Sequence, residues 1–76
     1  MSKSVVELME DRGWLSVARA VELSGFSRHT IHRLIREKTV DATRVGSRWF
    51  VGRESLAAHF DAEPIRTRIL GLEAAS

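Results

Sequence analysis

The chain has no cysteine, no tyrosine and a single proline among its 76 residues. Without cysteine there is no disulfide framework, no thiolate metal site and no cysteine nucleophile, so packing alone must hold the fold. The missing tyrosine removes the phenolic nucleophile. No acidic cluster suits a catalytic metal, and no glycine-rich loop suits a phosphate cradle. The sequence therefore does not read as an enzyme, and no cofactor or small-molecule ligand is expected. His29 and His32 lie three residues apart, yet no cysteine or nearby acid completes a metal-binding set with them. Long apolar runs are missing as well: the opening residues MSKSVVELMEDRG mix charge with apolar positions, unlike a signal peptide or a membrane span. A soluble, cytoplasmic protein with no membrane contact is the expectation. A domain this small buries only about 60% of the surface its unfolded chain exposes, which argues against a large enclosed active site.

Charge is present, and it is unevenly spread. The net charge is +2, but residues 27–53 carry seven arginines and lysines against Glu37 and Asp41, while the segments on either side are net negative. Such clustering suits a polyanion partner, although charge alone also suits an ordinary solvated face.

The positive segment opens with SRHTIHRLIREK, Ser27 to Lys38. Ser27 can cap a helix that starts just after it, and Ile31, Leu34 and Ile35 recur at the spacing of one helical face. A rotation of about 100° per residue places His29, Arg33 and Arg36 opposite that stripe, with Arg28 and His32 on a flank. A second helical pattern, Ser16 to Ser24, precedes it. Ser16 can cap this helix, Val17, Ala20, Val21 and Leu23 form its apolar side, and Gly25-Phe26 leave room only for a tight corner. Two short helices so joined are the pattern of a helix-turn-helix. The basic second helix is of a size to enter the DNA major groove, about 12 Å wide.

The rest of the chain supplies support. Ser4 and Glu7 form a capping-box pattern for a short amphipathic helix carrying Val5, Leu8 and Met9 and ending near Gly13; it either lids the core or offers a surface to another protein. After Lys38 the period changes. Residues 40–45 and 48–51 are rich in β-branched and aromatic residues, and Gly46-Ser47 between them signals a two-residue hairpin. That register sets Arg44 opposite Trp49 and Ala42 opposite Val51. Trp49 and Val51 are then expected to face the core, with Arg48 and Phe50 on the outer face. Arg44, Ser47 and Arg48 crowd the tip, as in a wing that touches a backbone or minor groove, or as plainly solvated groups. Residues 53–60 return to helical spacing through Leu56 and Phe60. Pro64 forbids simple continuation, and Ile65, Ile69 and Leu72 can form further turns before a frayed end at residues 73–76.

Residues 14–60 resemble the excisionase and MerR-type winged helix-turn-helix module. The resemblance rests on Leu15-Ser16, on Ala20, Leu23 and Gly25, on Ser27-Arg28, Ile31 and Leu34-Ile35-Arg36, then on Val45-Gly46, Arg48-Trp49 and Leu56. It implies an α+β fold, mainly helical with a small hairpin. Three parts follow: an N-terminal helix (residues 1–13), the winged module (14–60) and a short tail (61–76). It implies double-stranded DNA as partner, with Ser27, Arg28, His29, Thr30, His32, Arg33 and Arg36 at the major groove and Arg44, Ser47 and Arg48 on the wing. Small members of this family, encoded by bacteria or phages, resemble recombination directionality factors, which bind and bend attachment-site DNA and direct an integrase. Two departures stand out. The family usually has glycine near Lys38-Thr39, and a basic or polar residue at Phe50; an outward aromatic there would favour self-association.

A small MerR-like transcription regulator or an antitoxin would share the same DNA contacts, and a protein-interaction module without DNA binding remains a third reading. A ligand-sensing regulator would need more chain after Phe60 than this sequence offers.

Overall fold

The computed structural model describes residues 3–71, which form five helices and three strands. Each expected start signal is realised as a hydrogen bond. Ser4 accepts from the Glu7 amide while the Glu7 carboxylate reaches back to the Ser4 amide, so the capping box closes at the start of α1 (Val5–Asp11). Ser16 accepts from Arg19 N at 3.1 Å ahead of α2 (Val17–Ser24), and Ser27 accepts from Thr30 N at 3.1 Å ahead of α3 (Arg28–Arg36). Gly25, at φ +80°, ends α2 in the left-handed conformation that a Cβ disfavours.

The corner between α2 and α3 is locked by Ser24. Its buried hydroxyl donates to the Ala20 carbonyl at 2.6 Å and accepts from Phe26 N at 3.1 Å, so the buried hydroxyl and the Phe26 amide are both satisfied. Phe26 then rests against Phe60, ring centroids 5.0 Å apart. The two helices are thereby held at a fixed angle, by Ser24 inside the corner and by Phe60 from a distant part of the chain.

The hairpin forms from β2 (Ala42–Val45) and β3 (Arg48–Gly52) in the expected register, Arg44 opposite Trp49 and Ala42 opposite Val51. Gly46 takes φ +62° and Ser47 does not have positive φ, the pattern of a II′ turn with glycine first. A third strand, β1 (Trp14–Ser16), adds to the other edge of β3, giving the antiparallel order β1-β3-β2. It lay unread in the sequence because three residues between two helical patterns carry too little alternation to register as a strand.

One face of the sheet meets the main core. Leu15 and Val51 pack there with Val17, Ala20, Leu23, Ile31, Leu34, Val40, Leu56, Ala57 and Ile69. The third helix of the sequence reading appears as α4 (Arg53–Ala57), which ends early in tight turns from His59 N to Leu56 O and from Phe60 N to Ala57 O. The chain resumes in α5 (Glu63–Leu70), with Pro64 in the first turn, where its missing amide costs no hydrogen bond. This helix packs on α4 and α2 and buries Ile69 completely. The expectations for Leu72 and residues 73–76 lie outside the described residues.

The other face overturns one expectation. Phe50 points away from the main core, as the alternation requires, yet it is 0% exposed, whereas Trp49 is 36% exposed. The cause is α1. It packs along β1, and Ser4 and Val5 border the same depression as Val45 and Arg48, which share the Phe50 face. The sheet is thus covered on both sides at its middle, and Phe50 is enclosed. Trp49 stands next to the turn, where the main core has run out. The two faces are as expected from the register, but the burial of Trp49 and the exposure of Phe50 as a self-association surface are both overturned.

Candidate nucleic-acid interface

The recognition-helix candidates sort by helical rotation. Ile31 and Leu34 are buried and Ile35 half-buried, so α3 has one apolar side anchored in the core. Arg28, His29, Arg33 and Arg36 are exposed; Thr30 and His32 are half-buried on the flanks. Ser27 is exposed, but its hydroxyl is engaged, accepting from Thr30 N and donating to Thr30 Oγ1 at 3.0 Å. It serves first as the device that starts the helix. The Thr30 hydroxyl keeps its own proton to donate.

The helix ends in a Schellman motif. Lys38 N donates to Ile35 O and Thr39 N to Leu34 O, with Lys38 at φ +58°. This is the position at which the resembled family usually has glycine, and here a lysine bears the left-handed strain. His59 adds a ring-nitrogen contact to the Thr39 carbonyl at 3.2 Å, tying the end of α3 to the segment after α4.

Wing and helix come together across a groove of about 430 Å³. Arg28 and His32 of α3 line one side, Ser47, Arg48 and Trp49 of the hairpin the other, with Ser16, Val17 and Ala18 at the start of α2 and Val6 of α1 completing it. Arg44 does not line this groove. Its Nε donates to the Gly46 carbonyl at 3.0 Å, and its guanidinium carbon sits 5.9 Å from the Trp49 ring centroid. Trp49 and Val6 were not singled out as interface residues from sequence. A signal for Trp49 existed, since a side chain next to a two-residue turn lies at the end of the sheet; none existed for Val6, which arrives through the way α1 crosses the sheet.

The charges in this region are uncompensated. Among the described residues, none of Arg28, Arg33, Arg36 and Arg48 has a carboxylate within ion-pair reach, while Lys3 pairs with Asp11 and Arg19 with Glu22 elsewhere. The Asp11 hydrogen bond and charge hold the Lys3 ammonium above its ordinary range. Unpaired guanidinium groups around a concave surface raise a positive potential that screening by internal carboxylates would have cancelled. A larger cavity, about 550 Å³, lies at the opposite end of the sheet, but there Arg12 and Arg53 are offset by Asp41 and Glu54. Its balanced lining gives a polyanion nothing to prefer.

Among the described residues no group of three or more His, Asp or Glu side chains could hold a metal ion, and no helix is long and apolar enough to cross a membrane. No curated protein and no solved structure matches the chain significantly. A family model described as a helix-turn-helix domain matches residues 14–64, the segment running from β1 to the first residues of α5. That match covers more than half of the chain, and it shows that this protein belongs to the helix-turn-helix domain family of DNA-binding proteins.

Proposed function

We infer that the protein binds duplex DNA by laying α3 in the major groove and the β2–β3 turn against the neighbouring minor groove or backbone, and that it acts as an excisionase-like recombination directionality factor. The observation that carries the DNA geometry is the groove whose two sides are Arg28 and His32 on α3 and Ser47 and Arg48 on the turn, with the arginines unpaired. Arg28 and Arg33 are the candidates for bidentate contact to guanine, and Thr30 with the free amides at the start of α3 for phosphate. Arg36 and His29, both exposed on α3, extend the candidate contact surface beyond the groove. The guanidinium of Arg48 at a short tip suits a narrow, A·T-rich minor groove, where the negative potential is deepest.

The finer role draws support from two sources. The matched family includes excisionase-like proteins, and one nine-residue helix with one small turn offers few specific contacts. Affinity then has to come from several copies, and DNA bending rather than tight readout becomes the useful output. Phe50 is removed from the candidate self-association surfaces by its burial; Val5 and Leu8 of α1, 47% and 45% exposed, remain. An integrase is the partner this role requires. Bending and footprinting on DNA beside the gene, together with excision by a neighbouring integrase, test the role. Bent, protected attachment-site DNA and stimulated excision are expected. Protection of a promoter with no effect on recombination would transfer the assignment to a small MerR-like regulator or antitoxin, and no duplex binding at low salt would leave only a protein-interaction module.

A further inference from the structure

Arg44 and Arg48 flank the same turn, carry the same charge and are both exposed, yet their surroundings differ. The Arg48 side chain has no hydrogen bond, ion pair or ring contact among the described residues and lines the groove toward α3. Arg44 is committed to its own hairpin twice over. Its Nε–H closes a loop onto the Gly46 carbonyl at 3.0 Å, and its guanidinium lies over the indole of its cross-strand partner Trp49 at 5.9 Å. The Trp49 indole in turn lines the groove, and Arg44 does not.

We propose that Arg44 is a positioning residue, a brace that presets the wing for DNA through the Gly46 carbonyl and the Trp49 ring, rather than one of the groups that contact DNA. The physical case rests on geometry that only a guanidinium satisfies. Nε and the flat face of one planar group act at once: the edge donates to the turn, and the face covers the ring. The turn needs this help. Gly46 has the largest backbone freedom of any residue type, and Trp49, at 36% exposure, lacks the enclosing core that would otherwise fix its plane. Holding both in the free protein lowers the ordering that Ser47 and Arg48 must undergo when DNA arrives, which is how preorganisation raises affinity without adding a contact. The inference rests on the DNA-binding reading above.

The discriminating variant is Arg44→Lys, which keeps the charge and loses both the Nε donor and the planar face. Lysine remains a competent phosphate ligand, so a contact to DNA would survive this change and a brace would not. Duplex affinity is measured across a salt series for the parent, Arg44→Lys, Arg44→Ala and Arg48→Ala. The brace predicts that Arg44→Lys binds about three- to tenfold more weakly with the slope of log K against log salt unchanged, while Arg48→Ala lowers that slope by about 1. A second readout needs no DNA: in the free protein the Arg44 Nε–H should exchange with water more slowly than that of Arg48, and the protection should vanish in Trp49→Leu. Parent-like binding by Arg44→Lys, or equal exchange at Arg44 and Arg48, overturns the proposal. Because the parent and Arg48→Ala report duplex binding in the same series, failure of the brace is distinguished from failure of the DNA-binding reading.

Discussion

Lys38 shows how a single residue can mark a compromise in the sequence. It sits at the left-handed position that closes α3, at φ +58°, where an L side chain costs roughly 1–2 kcal/mol. Lys38→Gly is therefore expected to raise stability by about 1 kcal/mol, read as a higher midpoint in chemical or thermal unfolding; a less stable variant would mean that the lysine stem contributes packing that outweighs the strain. Phe50 and Trp49 are neighbours with opposite fates. Phe50→Ala opens a cavity between the sheet and α1 and should cost about 3–5 kcal/mol, whereas Trp49→Ala, at a position 36% exposed, should cost clearly less while weakening DNA binding. Equal losses of stability would contradict the placement of α1 over Phe50. Arg33 is exposed on α3 and unpaired, so Arg33→Ala should leave stability unchanged. It should also weaken binding by about 1–3 kcal/mol with relaxed preference at one base pair; affinity and preference both intact would remove Arg33 from the reading surface.

Elements were legible from sequence in proportion to how locally they are determined. The three serine caps, the Gly25 corner and the hairpin register could be read because each depends on residues only a few positions apart. The sheet's third strand and the enclosure of Phe50 could not, because β1 is defined by pairing with β3, which lies more than thirty residues away in the sequence, and enclosure is defined by a helix from the far end of the chain. The candidate site divides the same way. The basic face of α3 follows from 3.6-residue spacing, while the groove it shares with the wing and the capture of Arg44 by Gly46 and Trp49 are tertiary facts. The same logic sets expectations for α1. No residue of this helix is fully buried, so its own loss from the surface is cheap, and what it protects is Phe50. Removing residues 1–12 should increase binding of a hydrophobic dye and lower the unfolding midpoint without abolishing the helical signal of the remaining helices. Unchanged dye binding would show that Phe50 is sheltered by something other than α1.

On the scale of the whole molecule, the arrangement separates two tasks. Caps, the Ser24 lock and packing on α2 within the shared core hold the back of α3, and the side facing away from that core is left with arginines that no internal carboxylate neutralises. The small net charge of +2 conceals this division, because the acidic residues lie mostly on the first and last thirds of the chain. The electrostatic term in binding should accordingly be local and strong. The most direct test of the central claim is duplex affinity as a function of salt for the parent, Arg28→Ala, Arg48→Ala and, as a control on α5 away from the groove, Arg66→Ala. The account predicts steeply salt-dependent binding by the parent, a slope smaller by about 1 for each groove variant and a parent-like slope for Arg66→Ala. Equal slopes in all four proteins, or no binding at low salt, would contradict it.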